Sequence, residues 1–203
     1  MTNKRKRRHS RHVAGITTLV VLILALAGLA AWALFGRYPQ LTVQNYPVAY
    51  EDLIRACAAE NGLDPAYPAA VILAESSYQP EAVSSANAQG LMQLLPDTAD
   101  WIAGKFDETY AEGCLFDPET NIRYGCWYLG FLMRRYNGDM TCASAAYHAG
   151  QGTVDKWLAD PAYSADGATL DRIGYGSTET YVQRVLKYYE KYAEIYARAS
   201  GAA

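Results

Sequence analysis

Val13 to Phe35 is a run of 23 residues without one charged side chain. As a helix it is about 34 Å long, enough to cross the hydrocarbon core of a bilayer. The residues before it, Lys4, Arg5, Lys6, Arg7, Arg8 and Arg11, carry no compensating acid. A basic run alone would suit nucleic acid or anionic lipid. Placed before an apolar span, it marks the cytoplasmic flank of an anchor whose far side lies outside the cell. The expected organisation is a basic cytoplasmic tail (1–12), a transmembrane anchor (13–36) and a short extended stalk (37–47) holding Pro39 and Pro47. A cleavable secretory signal is the rival, because Ala31-Trp32-Ala33 has a small-x-small pattern. The apolar run is longer than an ordinary signal core, which favours an uncleaved single-pass anchor. With no cysteine near its end, lipid modification there is not expected.

Beyond the anchor the charge reverses sign. Residues 37–203 keep 12 of the 18 basic side chains against all 21 acidic ones, a net of −9, so the nucleic-acid footprint is absent. Residues 48–198 suit one domain with one core. Apolar positions recur there at three and four rather than two, which predicts a mainly α fold. The stripe Tyr50, Leu53, Ile54, Cys57, Ala58 predicts a first helix stopped at Asn61-Gly62. A second begins between Asp64 and Pro68, carries Glu75 near its end and is barred by Pro80. Ser84 to Gln89 reads as a turn, with Asn87 suited to a positive φ. Gly90 to Leu95 reads as a short helical piece, and Pro96 restarts a helix through Ala103. Asp117-Pro118 opens a long helix to about Tyr136, with Tyr124, Trp127, Tyr128, Phe131 and Leu132 on its buried side. Cys142 to Ala149 is a further helix ended by Gly150. The stretch 160–176 has no period and reads as loop. The last helix, about Thr178 to Ala197, buries Tyr181, Val185, Tyr188 and Tyr192.

Within this frame one charge stands in an odd place. Glu75 closes the apolar run Ala69-Ala70-Val71-Ile72-Leu73-Ala74. Lost hydration and the negative end of the helix dipole both raise a carboxyl pKa there, and a raised carboxyl suits a general acid. Taken alone, Glu75 reads rather as an ordinary solvated residue at a helix end.

The surrounding pattern is more specific: Glu75-Ser76, then Ser84, Gly90-Leu91-Met92-Gln93 and Pro96-Asp97-Thr98-Ala99. Downstream follow Asp117-Pro118-Glu119-Thr120-Asn121-Ile122, Ala146-Tyr147-His148-Ala149-Gly150 and Tyr181-Val182 with Val185-Leu186. This ordered set resembles the lytic transglycosylases of the goose-type lysozyme superfamily over residues 48 to about 196. The resemblance implies a lysozyme-like domain with Glu75 as the catalytic acid. Ser84, Met92, Gln93, Tyr147, His148 and Tyr181 would bind substrate, with Met92 and Leu95 on the cleft floor and Gln93 both donating and accepting. Ser84 could instead be a simple cap, and Met92 a core residue. Two departures stand out: His148 replaces the family's usual Asn, and Ser177 replaces its usual Glu, with Glu179 two residues out of register.

No metal or cofactor is expected, since the spacing of Cys57, Cys114, Cys126 and Cys142 fits no zinc pattern. Those cysteines permit one or two disulfides outside the cell, or four free thiols. The charge-free run and the resemblance together give the expectation of a membrane-anchored murein lytic transglycosylase. Its partners would be peptidoglycan glycan strands and, through the N-terminal helix, the cell membrane, with the catalytic domain on the wall side. It would cut the MurNAc–GlcNAc β-1,4 bond and leave a 1,6-anhydro end. A hydrolytic muramidase and a non-enzymatic wall-binding scaffold are the alternatives; a second carboxylate at the site would favour the hydrolase.

Overall fold

The computed structural model describes residues 45–200, so the tail, the anchor and most of the stalk lie outside the described residues. Seven helices follow in order: α1 (Glu51–Glu60), α2 (Ala66–Ser76), α3 (Pro96–Ala103), α4 (Pro118–Arg135), α5 (Met140–Ala149), α6 (Gln151–Leu158) and α7 (Gly176–Ser200). A 3-10 turn, Cys114–Phe116, precedes α4. Among the described residues no helix is long and apolar enough to cross a membrane.

Helix α2 is the centre. Ala66, Tyr67, Ala69, Ala70, Val71 and Ile72 are all buried, so it has no solvent face over its first two turns. A helix apolar all round must be wrapped by others, and α7 packs along it, with α4 and α1 also in contact. The Asp64 carboxylate accepts from the Ala66 amide at 2.9 Å and starts the helix. Pro68 is tolerated because first-turn amides need no partner within the helix. Each fully buried Val or Ile contributes about 1.5–3 kcal/mol.

The start of the described chain also docks on this core. Tyr46 lies edge-on to Tyr188 and Tyr192, and the Tyr192 hydroxyl donates to the Pro47 carbonyl at 2.7 Å. Stalk residues 46 and 47 are therefore part of the domain surface rather than free spacer.

Three expectations change. Gly90 to Leu95 is not helical: Gly90 (φ 76°) and Gln93 (φ 49°) reverse the chain, and Gln89 and Leu94 exchange backbone hydrogen bonds of 2.9 and 3.1 Å. On α4, Tyr124 and Leu132 are buried as expected, together with Ile122, Cys126 and Leu129, while Trp127, Tyr128 and Phe131 are only half-buried. In α7, Tyr188 is only half-buried, and Tyr181, Val182, Val185, Tyr192 and Tyr196 form the inner face. Helix α6 was not anticipated; it follows α5 directly through Gly150 (φ 85°). All four cysteines are free thiols, and Cys57, Cys126 and Cys142 are buried.

A smaller apolar cluster sits beside the main one. Leu94, Ala99, Ile102, Ala103, Leu115 and Tyr124 form it, and Tyr128 and Tyr147 pack against both clusters.

Candidate active site

Glu75 lies in the last turn of α2, and Ser77 (φ 53°) and Tyr78 (φ 64°) end that helix by two successive left-handed residues. Each such non-glycine conformation costs about 1–2 kcal/mol, so surrounding contacts must hold it. Tyr78 is buried against Tyr192, and the buried Ser76 hydroxyl donates to the Leu91 carbonyl at 2.7 Å. The second residue of the Glu-Ser pair thus ties the acid's helix to the loop across the cleft.

Burial pushes the Glu75 carboxyl up to about 7; the Tyr181 hydroxyl and the Arg184 guanidinium favour its charged form but do not cancel that effect. The Tyr181 hydroxyl is buried beside the carboxyl in a contact that falls short of a well-formed hydrogen bond. Among the described residues, no second carboxylate is among the groups that shift Glu75. A lone acid protonated near neutral pH can deliver a proton to a leaving oxygen and, once ionised, take one back.

The opposite wall is a loop held by buried polar groups. The wholly buried Asn121 accepts from the Met92 amide at 2.7 Å and donates to the carbonyls of Leu115 (2.8 Å) and Gln89 (3.0 Å). A Cβ on Gly90 would stand 2.1 Å from the Leu115 carbonyl oxygen and 2.3 Å from Asn121 Nδ2, so only glycine fits. Asn87 takes the expected positive φ of 61°.

The six expected substrate-binding residues fare differently. Ser84 accepts from the amides of Ala86 and Ala88, at 3.3 and 3.0 Å, and caps its own turn. It makes no bond to Glu75, and its hydroxyl proton stays available. Met92 is wholly buried and packs its sulfur against Gly125, which corrects the expectation that it lines the floor. Its backbone carbonyl instead receives the Tyr147 hydroxyl at 2.7 Å. Gln93 spends both Nε2 protons on the carbonyls of Ala82 (3.0 Å) and Gly90 (2.9 Å), which leaves its Oε1 as an acceptor and removes it as a donor. His148 bonds Thr178 Oγ1 through Nδ1 at 3.0 Å and packs on the Tyr181 ring with centroids 4.7 Å apart. Desolvation and Arg184 lower its pKa.

Gln93, Leu95, Thr98, Tyr128, Tyr147 and His148 line a cleft of about 270 Å³. Glu75 and Tyr181 do not line this cleft themselves, but the Glu75 charge acts on Tyr147, which does, and on Tyr181, which packs on the cleft residue His148. Ser177, where the family has Glu, is exposed in the first turn of α7, as is Glu179; it is Thr178 between them that turns inward to His148. Sequence reasoning assigned no role to Ser76, Asn121, Thr178 or Arg184. Ser76 and Asn121 stand inside quoted motifs, so the motif itself was the signal; Thr178 and Arg184 carried none.

The chain is 35% identical over 148 residues to the soluble lytic murein transglycosylase of Escherichia coli (strain K12), covering 71% of this chain and 23% of that protein. It is 36% identical over 147 residues to the membrane-bound lytic murein transglycosylase C of Actinobacillus pleuropneumoniae serotype 5b (strain L20), covering 68% and 39%. The solved 70 kDa soluble lytic transglycosylase of Escherichia coli matches with a TM-score of 0.69 at 31% identity, over 76% of this chain and 25% of that one. The same kind of enzyme is also solved in complex with bulgecin A. The lytic transglycosylase Slt of Pseudomonas aeruginosa, solved as an inactive glutamate-to-glutamine variant, matches with a TM-score of 0.67 at 33% identity, over 75% and 25%. The chain therefore spans about a quarter to two-fifths of the length of these relatives. The fold is the mainly helical, lysozyme-like one that the motifs implied. Residues 52–168 match the family model of the transglycosylase SLT domain, and the chain belongs to that family.

Proposed function

We propose that this protein is a peptidoglycan lytic transglycosylase that cuts the MurNAc–GlcNAc β-1,4 bond without water. The observation that carries the reading is one half-buried acid, its carboxyl raised by desolvation to about 7 with no second carboxylate among the described residues acting on it, in a domain of this family. Glycosidases that hydrolyse ordinarily need two carboxyls. Here Glu75 protonates the glycosidic oxygen as the C1–O bond breaks and is left as a carboxylate beside an oxocarbenium-like sugar. The muramic acid's N-acetyl oxygen supports that cation. Its C6 hydroxyl then closes on C1 and returns the proton to Glu75, so the acid is regenerated and a 1,6-anhydro ring forms. A hydroxyl already held in place has an effective molarity of at least about 10⁵ M, which lets it outrun water.

The relatives' names support the substrate, and the inactivity of a glutamate-to-glutamine variant in one of them supports an essential acid. In the cleft, the Gln93 Oε1 accepts from N-acetyl or hydroxyl groups; the Ser84 hydroxyl, outside the cleft lining but on the same loop, would donate to a sugar that extends over that turn. Digestion of sacculi in water enriched with heavy oxygen tests the reaction. Anhydro ends without label support it; labelled reducing ends place the protein among the muramidases, and no cleavage at all would leave a scaffold.

The same reading places the domain on the wall side of the cell membrane, held by residues 13–36 with the N-terminus inside. Some relatives carry the name membrane-bound, and the charge-free run after a basic flank supports an anchor. Protease added outside intact cells should remove the domain. Protection, or release of a soluble mature form, contradicts an uncleaved anchor.

A further inference from the structure

Among the described residues, four large apolar side chains are exposed: Val83, Leu95, Trp101 and Tyr175. Two of them belong to α3 and its start. Leu95 is the extended residue that caps α3, and Thr98 and Trp101 stand one turn apart along it, about 4.5 Å at 1.5 Å per residue. Leu95 and Thr98 line the cleft, and Trp101 lies outside it, edge-on to the cleft residue Tyr128. Helix α4 extends the same surface. Tyr128, another cleft residue, lies 6.1 Å from the Trp101 ring and 6.3 Å from Phe131, and Trp127 stacks on Phe131 at 5.7 Å. Tyr128, Phe131 and Trp127 are nearly parallel, and all three are half-buried. Trp127 and Tyr128 also pack against the small apolar cluster, and Tyr128 and Phe131 against the main one, but Trp101 belongs to neither, so its exposed ring does not fill a core.

We propose that Trp101, with Trp127 and Phe131, is a distal platform that holds further sugar units of the same glycan strand after it leaves the cleft. The inference rests on the proposed activity and adds a site to it. Sugar rings present faces of C–H bonds with partial positive charge, which pair with the negative face of an aromatic ring. Continuity with the cleft through Tyr128 lets one strand reach both the cleft and this surface. A membrane fits the surface less well. Residues 46–203 carry 11 basic and 21 acidic side chains, and Asp97 and Asp100 stand on α3 itself, so an anionic bilayer would be repelled. Lys105, 5.3 Å over the Trp101 ring, leaves one cation at the far end.

The test uses the full-length chain carrying Glu75→Gln, titrated with β-1,4-linked N-acetylglucosamine oligomers of two to six units. Affinity should rise with length, and indole emission should shift with the longer oligomers but not with the disaccharide. Adding Trp101→Ala should remove at least about a tenfold share of that rise, while Trp101→Phe, which keeps an aromatic face, should retain most of it. Equal length dependence in all three proteins, or an emission shift already complete with the disaccharide, overturns the platform. Binding to phosphatidylglycerol vesicles that depends on Trp101, without a length effect on sugars, assigns the surface to the membrane instead. If no oligomer binds the parent at any length, it is the glycan-cleaving reading that fails, and the platform with it.

Discussion

The two walls of the cleft are built on opposite principles. The Glu75 wall consists of regular helices, α2 and α7, packed through apolar faces, and its half-buried acid, Glu75, is set by desolvation. The loop wall, residues 84–95, has almost no regular structure and is held by polar groups: Asn121, the Gln93 amide, Ser84 and the Ser76 hydroxyl. The contrast has a chemical use. An apolar wall raises the pKa of the acid, whereas a wall of hydrogen bonds that are already made keeps the loop's shape before any sugar arrives. Reactivity comes from one side and shape from the other.

The largest effect expected is on the apolar wall. Glu75→Gln keeps the side chain's shape and removes its proton chemistry, so cleavage of sacculi should fall at least about a hundredfold while the circular dichroism spectrum is unchanged. Full activity in the folded variant would end the assignment of Glu75. The same variant carries a stability signature. Because burial raises the folded carboxyl from its ordinary 4.5 to about 7, the native state holds more protons than the unfolded chain between those values, and stability drains away as pH rises through that window. The variant should therefore gain on the parent at pH 8, by about 1–3 kcal/mol, and show no gain at pH 4. A parent that stabilises as pH rises from 5 to 7 in this comparison would show that the wall is wet.

On the polar wall the expected loss is in stability first. Asn121→Ala strands the Met92 amide and the carbonyls of Leu115 and Gln89, and should cost about 2–4 kcal/mol in denaturant unfolding. Gly90→Ala should cost at least as much, because its Cβ meets backbone. If both variants were near neutral in unfolding, the loop would not depend on its clamps, and the contrast between the walls would fail.

A smaller effect lies in the pH profile. With Glu75 as the acid, kcat/KM should hold below about 7 and fall roughly tenfold per unit above it. The acid limb belongs to His148. Its ring is desolvated and faces Thr178, Tyr181 and Arg184, so it gains charge only below the ordinary 6.5. His148→Asn should move or remove that limb with little change near neutrality. A variant whose profile superimposes on the parent's would make the ring a bystander.

Much of this was legible before any coordinates. Helix α2 was readable because a run such as Ala69 to Ala74 has no polar face to offer water, and Glu75 stood out because it closes that run. The motifs pointed to the loop wall, and Asn87 announced its positive φ. Three things were not readable. Met92 and Gln93 adjoin in sequence, yet one points into the core and the other to the cleft; the reversal at Gly90 and Gln93, not any period, decides that. The aromatic side chains of α4 recur as core residues do, and only the packing of Trp101 from α3 against Trp127, Tyr128 and Phe131 shows that these three are half-buried at the edge of the core. Arg184 and Thr178 meet Glu75 and His148 from more than a hundred and about thirty residues away. Local patterns determine which segments become helices and which carboxyl is out of place, because propensity and burial act over a few residues. Which side chains share a cleft is a matter of long-range packing, and a single chain read in order holds no record of those distances.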